Sequence, residues 1–165
     1  MLNALVLLVS VAEAGARTNG TGRNEERIHW STTMKIDGGC HCGFITYEAE
    51  IDPEKVIVCH CTDCQTLSGS AFRTVVFVDD SAFELRSGEL KTYVKIADSG
   101  KERAQRFCPE CGAHIYAAPV GAGPATYGLR VGTIRQRREL SPRAQYWCRS
   151  KLDWADDLES IKTID

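Results

Sequence analysis

From Met34 onward, apolar residues fall in short bunched or alternating runs, not in the three-to-four-residue rhythm of an amphipathic helix. Phe44 to Ile51, Val56 to Val58, Ala71 to Val78, Phe83 to Leu85, Thr92 to Ile96, Arg103 to Phe107, His114 to Ala118 and Tyr127 to Ile134 each read as a strand. Ser87-Gly88-Glu89 marks a turn, and Val120 to Pro124, with two glycines and a proline, marks a loop. A helical period shows only near Trp154 to Ile161. No internal repeat or low-complexity tract interrupts residues 34–165. The expectation is one mainly β domain over residues 34–165.

The first 33 residues follow a different pattern. Leu2 to Ala16 is mostly apolar and Arg17 to Arg27 is polar. Ala12-Glu13-Ala14 resembles a secretory cleavage site, yet no Lys or Arg precedes Arg17 to form the basic start of a signal peptide. The apolar run is also too short to span a bilayer. Residues 1–33 are therefore expected to be a disordered extension outside the domain, and the protein to be cytoplasmic, with export as the other reading. Asn19-Gly20-Thr21 matches a glycosylation acceptor that matters only in a secreted protein.

Composition narrows the class without choosing a function. A chain of 165 residues, 43% hydrophobic and 25% charged, is an ordinary soluble globular protein. A formal net charge of −2 gives no electrostatic reason to bind nucleic acid or an anionic membrane.

The chemistry lies in the cysteines. Seven of the eight sit in three clusters: Cys40-His41-Cys42, Cys59-His60-Cys61-Thr62-Asp63-Cys64 and Cys108-Pro109-Glu110-Cys111. A disulfide framework is one reading of eight cysteines in a short chain. Pairs separated by a single residue, beside a Cys-Pro-Glu-Cys knuckle, favour thiolate ligation of zinc instead. Side chains two apart on a strand share a face, which would align Cys40 with Cys42 and Cys59 with Cys61 while turning His41 and His60 away. Thr62-Asp63 could begin a turn that swings Cys64 back, and Gly112 could supply the positive φ of the knuckle.

The count then divides the ligands between two zinc ions per chain. Cys40, Cys42, Cys108 and Cys111 make a closed tetrahedron, the form of a structural site. Cys59, Cys61 and Cys64 leave one position for a substrate sulfur, whose pKa the metal would lower. The competing reading is a second structural site completed by Cys148, His60 or an Asp. Cys148, within Tyr146-Trp147-Cys148, is otherwise expected to be a buried core thiol. His114 reads as a packed strand residue. The basic run Arg135-Gln136-Arg137-Arg138, with Arg143, Arg149 and Lys151, reads as a solvated face balanced by the acidic residues between Asp153 and Glu159. No glycine-rich phosphate loop is present.

Together, Gly38-Gly39-Cys40-His41-Cys42-Gly43, Cys59 to Gln65 with Ser68 to Phe72, and Phe107 to Gly112 resemble the glutathione-dependent formaldehyde-activating enzyme family, whose domain is shared with centromere protein V. The resemblance spans roughly Met34 to Trp154. It implies a β-tent fold of the Mss4-like type, built from antiparallel sheets, and the same division of the two zinc sites. It also implies a carbon–sulfur lyase whose partners are a small thiol, glutathione, and an aldehyde, formaldehyde, joined as S-hydroxymethylglutathione. Two alternatives remain. One is a non-catalytic zinc-stabilised binding module. The other is a methionine sulfoxide reductase, which would need Cys148 as its reactive thiol.

Overall fold

The computed structural model of the chain describes residues 33–97 and 99–164. The expectations about the extension, the signal peptide and the glycosylation acceptor fall on residues outside that range.

Among the described residues, ten strands form two sheets. The smaller has three antiparallel strands in the order β1 (Met34–Gly39), β2 (Thr46–Ile51), β5 (Phe83–Ser87). The larger has seven. Its members are β3 (Val56–Cys59), β4 (Arg73–Asp79), β6 (Lys91–Ile96), β7 (Glu102–Phe107), β8 (His114–Pro119), β9 (Thr126–Arg130) and β10 (Ala144–Tyr146), in the order β10-β3-β4-β9-β8-β7-β6. One α-helix, α1 (Thr62–Ser68), follows β3. The protein is mainly β, as the sequence indicates.

Burial follows the two-residue period of each strand. In β2, Tyr47, Ala49 and Ile51 are buried and Glu48 and Glu50 are exposed, so one face of the small sheet packs inward and the other meets water. The central strand β4 is buried on both faces, which explains its near-continuous apolar run. Val76 and Val78 join Tyr47, Ile51, Val56 and Leu129 in the main core between the sheets. The opposite face carries a smaller cluster built on Ile57, Cys59 and Val75. That second face holds the candidate site.

Several elements depart from the sequence reading. β1 and β10 were not anticipated: β10 is three residues long and pairs with β3 in parallel, the only parallel ladder in these sheets among the described residues. The strand expected to run from Tyr127 to Ile134 stops at Arg130, where Val131–Thr133 makes a 3-10 turn and the Thr133 hydroxyl donates to the Arg130 carbonyl at 2.8 Å. The expected helical stretch near Trp154 is a single 3-10 turn, Asp153–Asp156. Its one-turn length leaves no amphipathic face to bury.

Candidate metal centres

Four sulfurs meet where two hairpin turns converge. Cys40 and Cys42 lie in the turn after β1, not on a strand, so the alternation argument gives the right pairing for a different reason. The Cys40 amide donates to the Ile45 carbonyl at 3.0 Å, and Gly43, at φ 81°, closes the turn with its amide on the Cys40 carbonyl. Cys108 and Cys111 lie in the turn between β7 and β8. There the Gly112 amide donates to the Cys108 carbonyl at 3.0 Å, and Gly112 takes φ 72° as anticipated. The four sulfurs all lie within 4.8 Å of one another and could hold a metal ion. Cys108 is fully buried in the main core, so the group is fixed to the packing between the sheets. The amides of Ala113 and Cys42 draw the Cys111 thiol down to about 6, toward the anionic form a metal requires.

Three more sulfurs gather where β3 runs into α1. Cys59 ends β3, and Cys61 is the N-cap of α1, its sulfur accepting from the Cys64 amide at 3.4 Å. Cys64 lies in the first helical turn. The anticipated turn at Thr62-Asp63 is therefore the start of a seven-residue helix, stopped by Gly69 in the left-handed conformation. The three sulfurs lie within 4.8 Å of one another and could hold a second ion. Hydrogen bonding from Cys64 outweighs burial and brings Cys59 down to about 5, while the same bond pushes Cys64 up. The exposed N-terminal amides of the helix add positive potential beside the sulfurs.

His60 takes no part in this group. It is buried, with Nε2 at 2.9 Å from the Gln145 oxygen and its ring edge-on to Phe72. Gln65 holds the base of the helix by donating to the carbonyls of His60 and Ser150, both at 2.8 Å. Cys148 contradicts the expectation of a buried core thiol. It is exposed and begins a 3-10 turn, because Trp147 before it takes φ 62° and turns the chain outward. It also stands outside the three-sulfur group. All eight cysteines are free, so the disulfide reading is not realised.

The three sulfurs open into a cavity of about 270 Å³ on the outer face of the large sheet. Strand register sets its floor. Cys59 pairs with Arg73, Val75 with Arg130, and Gln105 with Ala117, which in turn pairs with Gly128. Small residues at Ala117 and Gly128 leave the space that larger side chains would fill. Arg73, Arg103, Arg130 and Lys95 line the cavity, and Tyr146 and Trp147 wall it. Arg130 Nη2 donates to the Gln105 oxygen at 2.8 Å. Lys95 pairs with Asp63. His114, stacked on Phe107, is held down to about 4 by burial and by the positive charges of Arg73 and Arg130. It is a packed strand residue, as the sequence suggests.

The sequence reading missed the arginines of this floor. Arg73 and Arg130 sit at the ends of apolar strands, where a single charge looks peripheral. Only the pairing of β3, β4 and β9 places them beside Cys59. The basic run after Ile134 does lie on solvated surface. Its partners are mostly remote in sequence, Asp37 for Arg135 and Glu54 for Arg143, and Lys151 alone pairs with the acidic stretch, through Asp156.

Among the described residues no helix is long and apolar enough to cross a membrane. The family model described as glutathione-dependent formaldehyde-activating enzyme matches residues 35–150. A crystal structure of a Rhodobacter sphaeroides protein is similar at 21% identity, covering 66% of this chain and 98% of that one with a TM-score of 0.52. That likeness concerns the fold.

Proposed function

The chain belongs to the glutathione-dependent formaldehyde-activating enzyme family, and on that premise we propose that it is a zinc-dependent carbon–sulfur lyase. Residues 34–165 form the working unit, in the cytoplasm. It joins a small thiol such as glutathione to a small aldehyde, or runs the reverse reaction. The observation that carries this reading is the unequal division of sulfurs, four in a group anchored to the core through Cys108 and three in a group opening into a cavity.

The donor sets suit zinc. Thiolates are its preferred soft ligands, and both groups bring their sulfurs close enough for one ion without rearranging a strand. Cys40, Cys42, Cys108 and Cys111 would hold the structural zinc, and such an ion would tie the β1–β2 turn to the β7–β8 turn. Cys59, Cys61 and Cys64, which line the cavity, would hold the reactive zinc. When bound there, zinc supplies a lowered thiol pKa, so that the incoming sulfur is a thiolate near neutral pH.

The protein's own groups do the rest. The sheet floor and Trp147 confine the thiol and aldehyde in a cavity sized for small molecules. Arg73, opposite Cys59, offsets the negative charge of the three thiolates. As the carbon–sulfur bond forms, the carbonyl electron pair moves onto oxygen, and that oxygen takes up, by way of solvent at the cavity mouth, the proton that the thiol released.

The test is exchange of glutathione and formaldehyde with their adduct, followed by NMR on the zinc-loaded protein. An exchange rate above the spontaneous one, abolished in Cys64→Ser, supports the reading. A rate equal to the spontaneous reaction overturns it for this pair of substrates.

A further inference from the structure

The cavity floor holds more positive charge than the three sulfurs need. Arg73 and Arg130 are 6% and 8% exposed, and among the described residues neither forms an ion pair with a carboxylate. Arg73 Nη1 and Arg130 Nε are buried and have no hydrogen-bond partner, although both residues line the cavity. Gln105, itself 3% exposed, takes one Arg130 N–H and leaves the others. A buried guanidinium without an anion is costly, by several kcal/mol for an unpaired buried charge.

The thiolates do not account for both. Three thiolates around a divalent ion leave one negative charge, which one arginine offsets. Arg130 stays cationic at neutral pH, since burial and Arg73 lower it only to about 9. Arg103 adds a further positive charge at the cavity wall, and His114 beside the pair is neutral. Even an incoming thiolate leaves the floor positive. Lys95 is taken up by Asp63.

We infer that Arg73 and Arg130 form a carboxylate-binding floor, and that the carbonyl substrate is an aldehyde bearing its own carboxylate, the smallest being the two-carbon oxo acid glyoxylate. The placement argues for the carbonyl partner. Arg73 is the direct cross-strand neighbour of Cys59, where paired residues stand about 5 Å apart. Arg130, the partner of Val75 two residues along β4, lies beside it, so an anion held between the two arginines lies close to the reacting sulfur. In the adduct of a thiol with such an aldehyde, one carbon separates sulfur from carboxylate. In glutathione itself, several bonds separate them. The step balances without a redox partner. Sulfur bonds to the aldehyde carbon, the carbonyl electron pair becomes a hydroxyl with the proton released by the thiol, and the carboxylate stays on the arginines throughout.

This inference rests on the thiol-addition reading, so its test separates the two. Calorimetry on the zinc-loaded protein compares S-carboxymethylglutathione with S-(2-hydroxyethyl)glutathione, which has a similar size and lacks the added carboxylate. Binding of the carboxymethyl compound about tenfold or more tighter, with the preference lost in Arg130→Met at unchanged zinc content, is the expected result. Equal affinities overturn the inference and leave the thiol reading standing. If neither compound binds, the inference falls and so does glutathione as the thiol. A preference that survives in Arg130→Met, or in Arg73→Met kept zinc-saturated should the first variant not fold, assigns the carboxylate elsewhere and also overturns it. The comparison in the unaltered protein needs no variant to fold.

Discussion

Arg73 stands directly across the β3–β4 ladder from Cys59, the one cysteine of the three-sulfur group that belongs to a strand. A sulfur that must be anionic to bind metal thus has a 6%-exposed guanidinium as its cross-strand neighbour. The charges of Cys64, Cys61 and Cys59 in turn favour the charged form of Arg73 against its burial. Each side of the pair is reasonable only because the other is present.

Removing that neighbour should weaken one metal site and spare the other. Arg73→Met is expected to lower metal affinity at the three-sulfur group by about 10–100-fold, the usual cost of losing a group that supports the ligands. Affinity at Cys40, Cys42, Cys108 and Cys111 should be unchanged. Chelator competition resolves the two sites. An equal loss at both would show that Arg73 acts on the fold in general.

The two groups should also differ in what they do for stability. Cys108→Ser breaks the closed group at its one sulfur buried in the main core. Structural zinc is worth roughly 10–16 kcal/mol in peptides and a whole domain only about 5–15. The variant should lose cooperative unfolding. Cys64→Ser should leave one metal per chain and shift the melting temperature by about 4 °C or less. Metal analysis with thermal melting checks both. The opposite ranking would reverse the assignment of roles.

Much of this division was legible in the sequence because each cysteine cluster is local. Spacing within a turn or across a strand end is a short-range property, and the knuckle at Cys108 to Gly112 carries its own glycine signal. The strands were legible wherever apolar runs were long enough. β10, at three residues, and α1, at seven, are too short to show a period. Cys148 misled because Tyr146 and Trp147 look like core, whereas both are exposed at the cavity wall. Arg73 and Arg130 were invisible for a deeper reason. Their meaning lies in which strands pair and in what register, and no local pattern encodes that.

Gly38, buried beside the first cysteine pair, has no room for a side chain. A Cβ there would strike the Tyr47 hydroxyl and lie 2.5 Å from the Thr133 carbonyl oxygen. Tyr47 is 1% exposed and its hydroxyl is 2.7 Å from that of Thr133, so neither can retreat cheaply. Gly38→Ala should cost about 1–3 kcal/mol in urea unfolding. An unchanged midpoint would contradict this packing.

His114 should make the protein acid-sensitive in a defined window. Its folded value of about 4 lies below the ordinary 6.5. Between those values the unfolded chain binds a proton that the folded one refuses. The stability it contributes is therefore complete above about 6.5 and is lost as pH falls toward 4. Allowing for its partial exposure, the loss is about 1–2 kcal/mol. His114→Gln should show a correspondingly shallower fall in urea midpoint over that range. Identical slopes in the two proteins would remove His114 as the cause.

The central claim is that three protein sulfurs hold a zinc whose remaining position accepts a substrate thiol. Zinc-edge X-ray absorption on the fully loaded protein reads this directly as sulfurs per metal. With groups of four and three, the mean should be three and a half without ligand and rise to four on adding glutathione. A mean already at four before glutathione, or one that does not move when it is added, would contradict the account.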